Sequence, residues 1–421
     1  MTLLLSSLCF IMCIIFSYTE NKKTRNLFTP VFCFSILYSF IMVYVAFIDL
    51  FKGEGEYRMS YMVPVVSTIF FLIFFAIGYI FMFSFDRKLI IKRRIRGRFF
   101  INRYLVAILY ILLLFLGALY FIKYQKIIIP IDDFKEFFST GFQGHIVNVI
   151  TVLFLFIFTS RRKFKFTKLL AVVWIGFLAL ASAKYMMIIY TFSLVMIYYN
   201  MKKHFSLLRT MLIIIFISSL FVLTYILRFV FSGEDVDFSF IIKHFNYYLT
   251  GSYYSFSLVL TENVAPTENV GIGIVLAPII NMFKFISGNN NYVSSISRFV
   301  FVDVNSYYNK TNVFTLFGAI LFETDIFVTI LVVISLAIIS YLLLYLLKKR
   351  PNAYTVILYS FFMSFMFCSF FNCFFGTLNF IEILVVASVI ELLNYCYRIL
   401  YVPKRKIVSL QLRNGVNNNG K

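Results

Sequence analysis

Six basic residues hold most of the chemistry this sequence offers: Lys184, Arg228, Lys243, His244, Arg298 and Lys310. Lys184 sits in ALASAKYMM, Arg228 in YILRFVFSG and Lys243 beside His244. Arg298 follows GNNNYVSSIS and Lys310 precedes TNVFT. Cations set among apolar and aromatic neighbours suit a diphosphate, since a guanidinium fork grips two oxygens and an ammonium adds a point charge. The competing reading is that each snorkels to lipid headgroups or pairs with an acid nearby. His244 adds an imidazole whose unperturbed pKa, about 6.5, suits removal of a proton from a sugar hydroxyl. On a helix Tyr247 and Tyr248 share its face, which would make an aromatic platform for a sugar ring. Glu234, Asp235, Glu323 and Asp325 compete as bases.

Other chemistries lack their residues. There is no Walker loop, Gly-rich dinucleotide turn, HExxH or GxSxG. The histidines, His145, His204 and His244, are too few and too scattered for an all-His metal site, so no metal ligands are assigned. Glu382 and Glu391 lie in an apolar run near the C-terminal end and read as structural hydrogen-bonders. The six cysteines have no zinc-type spacing and read as buried packing.

The elements that must position the cations are membrane spans. The 421 residues are 61% hydrophobic and only 14% charged, with a mean hydropathy of +0.89. A soluble domain is roughly 45–50% apolar and about 25% charged, so the bilayer must be the solvent. Apolar runs long enough for a hydrocarbon core of roughly 30 Å fall near 2–18, 27–50, 61–85, 103–123, 143–159, 168–182, 184–199, 207–229, 326–347, 352–374 and 379–400. The expected fold is an all-α polytopic integral membrane protein with about eleven transmembrane helices in one domain over 1–421. The pair 168–182 and 184–199 reads as a tight hairpin or a single broken span. The first run has no basic start and no small-residue cleavage site, so it reads as a retained span.

The formal charge of +21 does not mark a nucleic-acid binder. Its basic residues cluster in short loops and no basic domain stands apart. Alternate loops collect most of the 39 Lys and Arg, from Lys22, Lys23 and Arg25 through the run Arg87–Arg103 to Lys348, Lys349 and Arg350. By the positive-inside rule that side is cytoplasmic, with the N-terminus outside and the C-terminus inside. The opposite side carries Asp49, Asp132, Asp133, Glu136 and the long stretch 230–325. In that extracytoplasmic loop Phe238, Ile241, Ile242, Phe245 and Leu249 repeat as in a helix lying in the membrane plane. Residues 271–287, broken by Gly and Pro, read as re-entrant or interfacial.

Three segments resemble the Wzy-type family of O-antigen and capsule repeat-unit polymerases. HFNYYLTGSYYSF is similar to that family's outer-loop YxxG-type stretch, and KTNVFTLFGAILFETDIF to its TNVFTFF-like entry to a late span. ASAKYMMIIY resembles its GSR-type turn, with Lys184 where the family has Arg. The resemblance implies a polymerase acting at the outer face of a bacterial inner membrane. A glycan chain leaves its undecaprenyl diphosphate and joins a hydroxyl of a lipid-linked repeat unit, without cofactor or nucleotide. Under it Arg228 and Arg298 are the leading diphosphate ligands, Lys184 and Lys243 weaker ones, His244 the base, and Tyr247 and Tyr248 contact sugar. Implied partners are the lipid-linked glycan, membrane lipid and a chain-length regulator protein, with no nucleic acid. A related ligase and a flippase of lipid-linked oligosaccharide are the alternatives. A flippase predicts cations along a central cavity and internal pseudo-symmetry, and neither is visible.

Overall fold

Residues 1–53, 57–84, 103–126, 131–159, 165–181, 184–202, 219, 222–226, 229–230, 235–262, 270–289, 291–293 and 313–401 are described by the computed structural model. Among them there is no strand. Inside a bilayer the backbone must satisfy its own polar groups, and each long apolar run does so by closing into a helix.

The helices are α1 (Thr2–Thr24), α2 (Leu37–Ile48, entered through a π-turn at Phe32–Ile36), α3 (Met62–Ser84), α4 (Arg103–Tyr124), α5 (Ile131–Ser139), α6 (Gly141–Thr159), α7 (Lys165–Ala181) and α8 (Lys184–Lys202). They continue with α9 (Phe238–Thr261), α10 (Gly273–Ile286), α11 (Leu316–Glu323), α12 (Ile326–Lys349), α13 (Ala353–Phe367) and α14 (Leu378–Tyr401). Among the described residues eight are long and apolar enough to cross a membrane: α1, α2 with its flanking turns, α3, α4, α6, α12, α13 and α14. The protein is therefore a multi-pass membrane protein. The pair at 168–182 and 184–199 forms two separate helices, α7 and α8, whose apolar stretches, Phe166–Ala181 and Tyr185–Met201, are shorter than those eight. They lie side by side, with Tyr190 donating its hydroxyl to the Ala171 carbonyl at 3.1 Å. Most of the run expected at 207–229 lies outside the described residues.

Helix ends sort into two faces. On one, Lys348 Nζ donates to the Thr24 carbonyl at 3.0 Å, the Leu27 N–H donates to Tyr199 at 3.0 Å, and Tyr359 donates to the Phe28 carbonyl. The buried Glu20 accepts the Val31 N–H at 3.0 Å, satisfying a backbone donor where the chain turns into α2. Lys22, Lys23, Arg25, Lys348, Lys349 and Arg350 gather at this basic face. The opposite face holds the other ends of these helices, and there α9 and α11 pack against each other and against α2, α3 and α12.

Tertiary association inside a bilayer depends on close packing and hydrogen bonds, since lipid tails are as apolar as the helices. The core accordingly interlocks rings. Phe317 of α11 has its centroid 4.8 Å from Phe70, 5.2 Å from Tyr38 and 5.6 Å from Phe34. Glycines admit the tightest crossings: a methyl on Gly78 would lie 2.1 Å from the Tyr341 hydroxyl oxygen. The outward sides of α1 and α4, with Leu4, Ile11, Ile15, Ile111 and Leu114, stay exposed as a lipid-facing surface must.

The long loop differs from expectation in one respect. Helix α9 runs 24 residues, and its second half, from Thr250 to Leu258, is buried in the bundle and does not lie along its surface. Its hydroxyls reach far. Tyr253 donates to the Tyr38 carbonyl, Ser252 to the Phe370 carbonyl at 2.7 Å, and Tyr254 to Asp49 at 2.8 Å. Only the first half keeps an exposed apolar side, at Phe238 and Ile242. Helix α11 is likewise buried, capped by Thr315, which accepts the Gly318 N–H at 3.1 Å.

Candidate functional site

The face opposite the basic ends carries two groups of side chains joined by a row of rings. The first group begins where α6 starts. His145 and Asn148, one helical turn apart, face Asn379 and Glu382, also one turn apart, at the start of α14. His145 Nδ1 lies 3.0 Å from Glu382 Oε1. Asn148 Nδ2 donates to Glu382 Oε2 at 2.7 Å and to Asn379 Oδ1 at 3.0 Å. Asn379 Nδ2 in turn donates to the Tyr185 hydroxyl of α8 at 3.1 Å. The carboxylate is thus held from two sides, and the amides are held behind it. The Glu382 side chain is 16% exposed and that of His145 50%, so the imidazole is the accessible end of a chain whose far members are buried (Asn148) or half-buried (Asn379, Tyr185). Glu382 is a hydrogen-bonder, as the sequence suggests.

The second group surrounds His244. Its ring stacks on Phe240 at 5.4 Å and 12° and meets Tyr225 and Tyr248 edge-on at 5.1 and 4.8 Å, with Tyr247 at 6.3 Å. The expected grouping of His244, Tyr247 and Tyr248 therefore forms. Tyr248 stacks on Phe371 at 5.4 Å, Phe371 on Phe374 at 6.0 Å, and Phe374 on Tyr185 at 4.2 Å. This row runs from the imidazole of α9 to the hydrogen-bonded chain of α6 and α14. Ring pairs of this kind add to the packing that holds the two groups in place.

The expected cations are only partly placed. Arg228, Arg298 and Lys310 lie outside the described residues. Lys184 is the first residue of α8, one position before Tyr185, which puts its main chain beside the polar chain. Lys243 is exposed on the first half of α9. Of the alternative bases, Glu234 is outside the described residues and Asp235 is exposed. Asp325 caps α12 by accepting the Val328 N–H at 2.8 Å. Glu323 is fully buried and accepts the Val270 N–H at 3.0 Å. Burial raises its carboxyl pKa, and that N–H pulls it partly back. Among the described residues no group of three or more His, Cys, Asp or Glu is placed to hold a metal ion.

His145, Asn148, Tyr185 and Asn379 were not among the expected site residues. Their signal was two polar pairs, each spaced i, i+3, at the starts of otherwise apolar spans, where a polar side chain needs a partner from another helix.

Beside the polar chain opens an apolar groove of about 540 Å³. It is walled by α10 (Val275, Ile279), α12, α13 and α14 (Phe380, Leu384). Along α12 its lining extends from Val328 to Leu343, roughly 22 Å at about 1.5 Å per residue. One leaflet accounts for about 15 Å of a core near 30 Å, so the groove is longer along α12 than one leaflet is thick. Helix α14 serves both features: Phe380, Ile381 and Leu384 face the groove while Asn379 and Glu382 face the polar chain.

No curated protein and no solved structure matches the chain. A family of unknown function (DUF6337) matches residues 56–398, and the chain belongs to that family.

Proposed function

We propose that this protein is a glycosyltransferase-type polymerase that joins undecaprenyl-diphosphate-linked oligosaccharide repeats into a surface polysaccharide. It works at the outer face of a bacterial inner membrane, with about eleven spans, the N-terminus outside and the C-terminus inside. The observation that carries this reading is one helix, α14, shared by a polar cluster at the face opposite the basic helix ends and an apolar groove longer than one leaflet is thick. An amphiphile with a polar head and a very long apolar tail fits that pairing, and an isoprenoid chain exceeds a leaflet where a phospholipid acyl chain does not.

In this reading Arg228 and Arg298 hold the diphosphate, with Lys184 and Lys243 adding charge. Tyr247, Tyr248 and the row to Phe374 support the sugars, and two imidazoles are candidates for the base: His244, expected from the sequence and set among those rings, and His145 beside Glu382. Catalysis then consists of positioning two lipids and stabilising the departing diphosphate. The length of the groove also favours a second reading, a flippase that carries the same lipid across the bilayer.

The test uses purified protein with a synthetic undecaprenyl-diphosphate repeat unit and no nucleotide. Wild type is compared with Arg228→Ala and Arg298→Ala. A ladder of longer glycans, reduced about 10²-fold or more in either variant, is expected. Absence of a ladder with an authentic repeat unit, together with transport of that lipid in reconstituted vesicles, replaces the polymerase by the flippase.

A further inference from the structure

We infer that His145, held by Glu382, is the general base for the acceptor hydroxyl, an inference that rests on the polymerase reading. An ionised Glu382 can only accept hydrogen bonds, so His145 Nδ1 at 3.0 Å must be the donor. That fixes the neutral tautomer with its lone pair on Nε2, the nitrogen left on a half-exposed side chain at the face opposite the basic helix ends. A carboxylate behind an imidazole also stabilises the imidazolium that forms when the proton arrives.

The carboxylate itself is fixed. Asn148 holds its second oxygen at 2.7 Å, and Asn379 and Tyr185 complete the support. Asn148 is buried and bonded twice, so neither amide can swing away without stranding a polar group in the bundle. His244 is differently placed: Phe240, Tyr225, Tyr247 and Tyr248 surround its ring. That environment suits a contact surface better than an exchanging proton. The row of rings from Tyr248 to Tyr185 ties the surroundings of His244 to the polar chain that ends at His145.

The step balances as a substitution. The acceptor oxygen forms a bond to the anomeric carbon, and the bond from that carbon to the diphosphate oxygen breaks. The lipid diphosphate leaves with the electron pair, and the hydroxyl proton passes to His145 Nε2 and from there to solvent. His145 is the catalytic residue; Glu382, Asn148 and Asn379 are positioning residues.

The deciding variant is His145→Gln, whose amide can still donate to Glu382 but cannot act as a base. With the undecaprenyl-diphosphate repeat unit, kcat is expected to fall about 10²–10⁴-fold, with KM and the melting temperature unchanged. His145→Ala is expected to lose the same activity and recover part of it in added imidazole, which a structural role would not allow. Glu382→Gln is expected to lower kcat, and Glu382→Asp to restore part of it. A glycan ladder from His145→Gln at the wild-type rate overturns the inference while leaving the polymerase standing. Absence of a ladder from wild type overturns both.

Discussion

Glu323 shows what a single carboxyl can report about this molecule. It is buried in α11 with the Val270 N–H on one oxygen, and burial raises its pKa. The folded state therefore binds this proton more tightly than the unfolded chain. The resulting stabilisation is complete below the unfolded carboxyl range, near 4.3, and is lost as pH rises through the raised folded value. Glu323→Gln keeps an acceptor for Val270 and removes the titration. Its melting temperature in detergent should match or exceed wild type at pH 8 and vary less between pH 5 and pH 8. A large loss at pH 8 would instead mean that the charge itself is needed. At this scale the sequence was partly legible. Glu382 read as a hydrogen-bonder because an acid in an apolar run must find a donor. That its donors would be His145 and Asn148, more than 200 positions away, is set by which helices pack together, and no local pattern records that.

Among the elements, α10 and the turn before α14 approach closely at a glycine. A methyl on Gly376 would lie 2.0 Å from the Ile274 carbonyl oxygen, a backbone atom that cannot step aside. Gly376→Ala must therefore push α10 away from α14, a type of overpacking that costs typically about 1–3 kcal/mol. The expected outcome is a lower melting temperature together with weaker use of a long-tailed lipid, measured on the same preparation. The contact of Gly318 with Phe256 Cβ, at 2.9 Å, is the longer one and should cost less on the same substitution. The spans were legible because, in a bilayer, the length of an apolar run nearly dictates a helix. The burial of α9 was not. An amphipathic repeat is the same whether its apolar side meets lipid or protein. Ser252, Tyr253, Tyr254, Ser255 and Ser257 read as polar, yet Ser252, Tyr253 and Tyr254 satisfy their hydroxyls on α2 and on the turn before α14, and Ser255 does so on its own helix.

For the whole molecule, the separation of basic helix ends from the face that carries α9 and α11 makes orientation a measurable property. With Cys396 replaced by Ser, the other five cysteines are buried. Tyr292→Cys, at an exposed position, should react with a membrane-impermeant thiol reagent on intact cells. Lys349→Cys should react only after the membrane is opened. The reverse pattern would invert the topology and place the polar chain in the cytoplasm. One further consequence belongs to the contact at Gly376. Helix α10 walls the groove and at the same time abuts the turn that leads into Asn379 and Glu382. A guest that widens the groove moves the frame on which the hydrogen-bonded chain is strung. Two ligands tied to one frame obey reciprocity: whatever factor a tail adds to the grip on a headgroup, the headgroup returns to the tail. The protein would then weigh both ends of an amphiphile together, and shortening the tail would loosen the hold on sugars that the tail never touches.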